Sequence, residues 1–262
     1  MVMTAVIGNS HAIAIKQAVE IKKENSIKLD VDANLESPLG VIEFYFIDSL
    51  WEIDQKKSGN DCGRLYAVPK QEDDSGLSLD EFDNVILCAG GWWDARNNFV
   101  TRNPPSHPLG YMACADWNYT PSQTPASVRL VSAAMFKAAV EDWIRDQPIV
   151  QLAKYLVASC DHRIFLQPWP APSRALKDKN DWVLNSLYRE YGARAWLDYF
   201  TAQFHAIQNI AAGLGPKVVL LDYPLQDVFE DGFMDASLCG EDPFHGNEKY
   251  GELVIDQIGA LI

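Results

Sequence analysis

The stretch Thr4-Ala5-Val6-Ile7-Gly8-Asn9-Ser10-His11-Ala12 constrains the fold more than any other. Apolar Val6 and Ile7 follow small residues, Gly8-Asn9-Ser10 punctuates them, and Ala12-Ile13-Ala14-Ile15-Lys16-Gln17-Ala18-Val19-Glu20 suits a helix. The order is a buried strand, a sharp turn, and a helix whose first turn carries Ser10. Units of this kind build α/β sheets, in which ligands bind at the carboxyl ends of the strands. A hydroxyl there lies against backbone N–H groups and the positive end of the helix dipole, which stabilises developing negative charge. Serine is also a preferred helix N-cap. This stretch alone therefore leaves Ser10 two readings, one chemical and one structural.

Beyond it, strand and helix patterns alternate. Gly40 to Ile47 is rich in β-branched and aromatic residues and predicts a second strand. Gln55 to Asp80 is polar, a surface insertion with a short extra strand over Arg64 to Val68. Asn84 to Ala89 is a nearly continuous apolar run, as in a strand covered on both faces. It ends at Gly90-Gly91-Trp92-Trp93-Asp94. The stretch from Ala95 to Thr124 holds Pro104, Pro105, Pro108 and Pro121 and reads as a long loop, a length that favours lids and binding walls.

Leu130, Ala134, Phe136, Ala139, Val140 and Trp143 recur at helical spacing, so a helix is expected over Val128 to Asp146. Pro148 opens another, through Ala158. Arg163 to Gln167 is the next strand, followed by Pro168-Trp169-Pro170-Ala171-Pro172. Helices over Asp181 to Tyr191 and Ala193 to Ala212 come next, the second stopped by Gly213 and Gly215. Lys217 to Asp222 is the last strand and Glu248 to Leu261 the last helix. About five strands separated by helices or long crossovers specify a parallel, doubly wound sheet. At 262 residues, with no repeat or linker, one domain over 1–262 is expected.

The net charge of −14 argues against sequence-independent binding to nucleic acid or to an anionic membrane. No apolar run approaches the length of a membrane span, and no signal peptide is apparent at the amino terminus. Five widely spaced cysteines and five histidines form no pair with metal-site or redox spacing. Reduced thiols, a cytoplasmic location, no metal and no cofactor are the expectations.

The second informative stretch is Gly240-Glu241-Asp242-Pro243-Phe244-His245-Gly246-Asn247, just before the final helix. Asp242 is close enough in sequence for its carboxylate to reach one imidazole nitrogen of His245. That bond sets the tautomer and leaves the other nitrogen free to take a proton. Asn247 suits an N-cap and Glu248 the positive helix start. Without a nucleophile nearby, the same residues read equally well as a turn and a solvated histidine.

Ser10 in a Gly-Asn-Ser turn after the first strand, with Asp-x-x-His before the last helix, resembles the SGNH (GDSL-like) hydrolase family across nearly the whole chain. The family's first block usually reads Gly-Asp-Ser. Here it is Gly8-Asn9-Ser10, followed by His11-Ala12 as in some polysaccharide-modifying members. The resemblance implies a flavodoxin-like three-layer α/β sandwich and a serine esterase with a catalytic triad. Ser10 would be the nucleophile, His245 the general base and then acid, and Asp242 the orienting carboxylate. The expected substrate is a small acyl ester, including an O-acetyl group on a saccharide, and Asn9, His11, Trp92, Trp93, Asp94 and Trp169 are the candidate substrate-binding residues.

The middle blocks depart from the family pattern. Where it places Gly-x-Asn-Asp, this chain has Gly91-Trp92-Trp93-Asp94, so Trp93 replaces the Asn that donates to the oxyanion. The family's separate oxyanion glycine has no clear counterpart. The remaining donors are the Ser10 N–H and a backbone N–H of Gly90 or Gly91, with Asn97 or Asn98 within reach in sequence. Losing one oxyanion donor typically costs about 100- to 1,000-fold in turnover. Trp92, Trp93 and Trp169 follow carboxyl ends of strands, where they either line a cleft or pack in the core. Three other readings stay open: an acyltransferase using the same acyl-Ser10, a module holding an anion at the Gly8-Asn9-Ser10 turn, and a protein of this fold without activity.

Overall fold

The computed structural model describes residues 2–8, 11–28, 39–46, 52–53, 64–65, 67–68, 77–79, 81–88, 112–115, 117, 129–178, 183–241 and 243–262. Its centre is a parallel sheet of β1 (Met3–Gly8), β2 (Val41–Phe46), β3 (Asn84–Cys88), β4 (Arg163–Leu166) and β5 (Val218–Leu220). The strands lie in the order β2-β1-β3-β4-β5, with Gly8 opposite Phe46 on one side and Cys88 on the other. That is the flavodoxin-like order, which places its ligand crevice where the winding reverses, between β1 and β3.

The apolar runs of β1 and β3 are continuous rather than alternating because both faces are covered. Ala5, Val6, Ile7, Val85, Ile86 and Leu87 have no exposed surface. The buried Thr4 hydroxyl is satisfied by donating to the Leu39 carbonyl at 2.8 Å. Six helices flank the sheet among the described residues: α1 (Ala12–Lys28), α2 (Ala133–Arg145), α3 (Pro148–Ser159), α4 (Val183–Leu214), α5 (Val228–Asp231) and α6 (Glu248–Gly259). α1 packs on α6 and against β1 and β2, whereas α2, α3 and α4 pack on one another, with α3 against β3 and β4. The three-layer α/β architecture expected from the sequence is present.

Local departures have physical reasons. The helix expected over Val128 to Asp146 begins only at Ala133, because Ser132 is its N-cap and accepts a hydrogen bond from the Met135 N–H at 3.2 Å. Arg129–Val131 is instead a strand, paired in parallel with Met112–Cys114. That second strand lies inside the stretch read as a loop. The strand expected over Arg64 to Val68 divides into two short pieces, Arg64–Leu65 pairing with Leu77–Ser78 and Ala67–Val68 with Glu52–Ile53. The two helices expected around residue 192 do divide there, at Gly192 with φ 85°. Gly213 remains inside α4, and only Gly215, with φ 100°, leaves it.

Candidate functional site

β1 and β3 end side by side, and their contact explains why a glycine stands at position 8. A Cβ on Gly8 would overlap the Cys88 backbone carbonyl. Only a residue without a side chain lets β1 end this close to β3 and turn into α1. The next described residue, His11, precedes α1 and is buried, with 3% of its surface exposed. Burial first, and the neighbouring His245 second, push its imidazole down to about 3. His11 is neutral at any ordinary pH.

The partner histidine arrives from the far end of the chain on a loop that hydrogen bonds shape. Cys239 bridges Gly246 in antiparallel fashion, and the Gly240 N–H donates to the His245 carbonyl at 2.8 Å. One side chain, Asn247, fastens this loop to α6. Its Oδ1 accepts from the Lys249 and Tyr250 N–H groups at 3.0 and 3.3 Å, while its Nδ2 donates to the Ser237 and Cys239 carbonyls at 2.8 and 3.1 Å. From the other side, the Ser173 N–H donates to the Pro243 carbonyl at 2.6 Å, and the Phe244 ring is buried as an anchor. His245 itself is half-buried. Its ring centroid lies 4.6 Å from that of His11, with the planes tilted by 31°.

At the carboxyl edge of the sheet, the Cys88 thiol donates to Gln167 Oε1 at 2.8 Å. Burial pushes the Cys88 thiol far above its ordinary range. Cys88 therefore stays protonated and is no nucleophile, since the thiolate is the reactive form. The sequence names Gln167 only as the end of the strand expected from Arg163. Gln167 follows the apolar run of β4 directly, at the carboxyl end of the strand.

Of the residues singled out in the sequence, the structure brings His11 and His245 together. Trp169 is in the core, with 3% of its surface exposed. Asn9, Ser10, Gly90, Gly91, Trp92, Trp93, Asp94, Asn97, Asn98 and Asp242 lie outside the described residues. Among the described residues, no cluster of three or more His, Cys, Asp or Glu side chains could hold a metal ion. No described helix is long and apolar enough to cross a membrane.

No protein-family model matches the sequence, and no curated protein matches it. Among solved structures, the chain is similar to an acetyl xylan esterase, AlAXEase, at 12% identity and a TM-score of 0.38, with all of both chains covered. It is also similar to a DUF4886 family protein from Bacteroides uniformis, at 11% identity and a TM-score of 0.43, over 97% of this chain and 79% of the other. At such low scores these likenesses decide nothing about activity. The functional reading rests on the residues of this chain.

Proposed function

We propose that the protein is a serine esterase-like hydrolase that cleaves small acyl esters, O-acetyl groups on a saccharide among them, through an acyl-Ser10 intermediate. The observation that carries this reading is the ring contact between His11 and His245. His11 is the residue after Ser10, so a histidine from the other end of the chain meets the neighbour of the proposed nucleophile. The flavodoxin-like strand order adds support, because the turn after β1 borders the crevice position of such sheets.

In this mechanism His245 takes the Ser10 hydroxyl proton as Oγ attacks the ester carbonyl, with Asp242 holding the imidazole in the required tautomer. The oxyanion is held by the Ser10 N–H and a backbone N–H of Gly90 or Gly91. The proton on His245 passes to the leaving alkoxide, and the acyl group stays on Ser10. A water that gives its proton to His245 then attacks the acyl carbonyl and releases the acid, restoring the serine.

Hydrolysis of p-nitrophenyl acetate and labelling by a fluorophosphonate probe test the reading. The native protein is expected to do both, and Ser10→Ala to abolish both. His245→Ala is expected to lower turnover by about 10³-fold or more, as loss of a triad member does. A folded native protein that neither turns over the ester nor takes the probe would sink the proposal.

A further inference from the structure

We propose that His11 is a positioning residue for His245: its buried imidazole is the surface on which the His245 ring rests, fixing the plane in which that ring exchanges protons. Its catalytic meaning rests on the function proposed above, but the contact itself does not.

The geometry is asymmetric in a way that suits this role. His11 is almost fully buried, directly before α1, where Ala12 and Ala14 are buried with it. His245 is half-buried and sits on a loop whose backbone is held by the Gly240 N–H donating to the His245 carbonyl. Rotation of an imidazole about χ2 is intrinsically broad, so a fixed backbone does not by itself fix the ring. A ring 4.6 Å away and tilted by only 31° restricts that rotation. Displacing a reacting group by about 1 Å can cost on the order of 100-fold in rate, so such support matters to a general base.

Burial adds a second requirement. Because His11 stays neutral, the pair carries one positive charge when His245 holds a proton during the cycle, never two at contact distance. A lysine or arginine at position 11 would bring a like charge against it. An aromatic ring meets both demands, support and neutrality. A polar residue without a ring meets only the second.

Two substitutions separate the ring from its nitrogens, His11→Phe and His11→Asn, each first checked for native far-UV dichroism. With p-nitrophenyl acetate, His11→Phe is expected to keep kcat within about threefold of native, while His11→Asn loses about 10- to 100-fold in kcat with KM changed by less than about twofold. In carbon–proton spectra of histidine-labelled protein, the native His245 ring signals are expected to show a nuclear Overhauser effect to the His11 ring. His11→Phe should leave them sharp and His11→Asn broaden or shift them. The proposal is overturned if His11→Asn keeps native kcat and native His245 signals, or if His11→Phe loses as much as His11→Asn. Absence of the ring-to-ring Overhauser effect in native protein overturns it as well, without recourse to any variant. If native protein hydrolyses no ester, the esterase reading fails by itself, and the His245 signals still decide the contact.

Discussion

The two histidines that meet at 4.6 Å are held by opposite means. His11 is locked by the hydrophobic core at the β1–α1 junction, where Gly8 lets the strand end against β3. His245 is placed by hydrogen bonds, from Gly240 to its own carbonyl, from Ser173 to Pro243, and through all four bonds of Asn247. Packing gives rigidity but excludes water, so the buried imidazole is neutral. A hydrogen-bonded loop leaves its side chain partly solvated. One ring is enclosed by the core and the other stands partly in water.

Substitutions that attack each side separately sharpen this contrast. The largest effect is expected at Gly8. In Gly8→Val, side-chain carbons would occupy the space of the Cys88 carbonyl, and backbone at the sheet centre cannot move aside cheaply. A loss of about 3 kcal/mol or more is expected in urea unfolding, the range of severe overpacking. A native-like midpoint would mean that the β1–β3 junction is looser than described.

Next comes the pH dependence of the buried ring. His11 has its ordinary value of 6.5 when unfolded and about 3 when folded, so between these the unfolded state binds more protons. Stability attributable to His11 is complete above 6.5 and declines as the pH falls toward 3, by up to about 1.4 kcal/mol per pH unit. Chemical unfolding of native protein and His11→Phe at pH 7, 6 and 5 should show this component in the native protein alone. Equal slopes would contradict burial as the cause.

The smallest of the three lies on the hydrogen-bonded side. Asn247→Ala removes the N-cap of α6 and leaves the Ser237 and Cys239 carbonyls to water, at an expected loss of about 1–2 kcal/mol. The proposed esterase activity should fall further than this stability loss explains, since the loop would no longer be fastened to α6 by Asn247. Activity unchanged in a folded Asn247→Ala protein would place the control of His245 elsewhere.

The amino-acid sequence discloses most of the frame because local patterns encode it. The apolar runs of β1, β3 and β4 lie where their composition puts them, α6 starts at the Asn247 cap, and the helix break falls at Gly192. Arg129–Val131 misled because Leu130 continues the helical period of α2 while belonging to a strand, and only the Ser132 cap marks the boundary. Its partner, Met112–Cys114, is three residues long, too short to register as a pattern. Of the candidate site, the sequence discloses the two motifs but not their meeting. His11 and His245 are joined by tertiary packing across almost the whole chain, which no local spacing records. The sequence names His11 as a candidate substrate contact, and the structure adds that its ring lies beside that of His245.

The four side-chain hydrogen bonds of Asn247 have a consequence for cooperativity. Opening the histidine loop releases the Ser237 and Cys239 carbonyls from the same side chain that holds the first turn of α6. Loop and helix thus belong to one opening unit, and α6 is packed against α1. The loop that carries His245 therefore shares the protection of the terminal helix and does not fray as a surface loop would. The half-buried His245 is in this way tied, through Asn247, to a helix packed on α1.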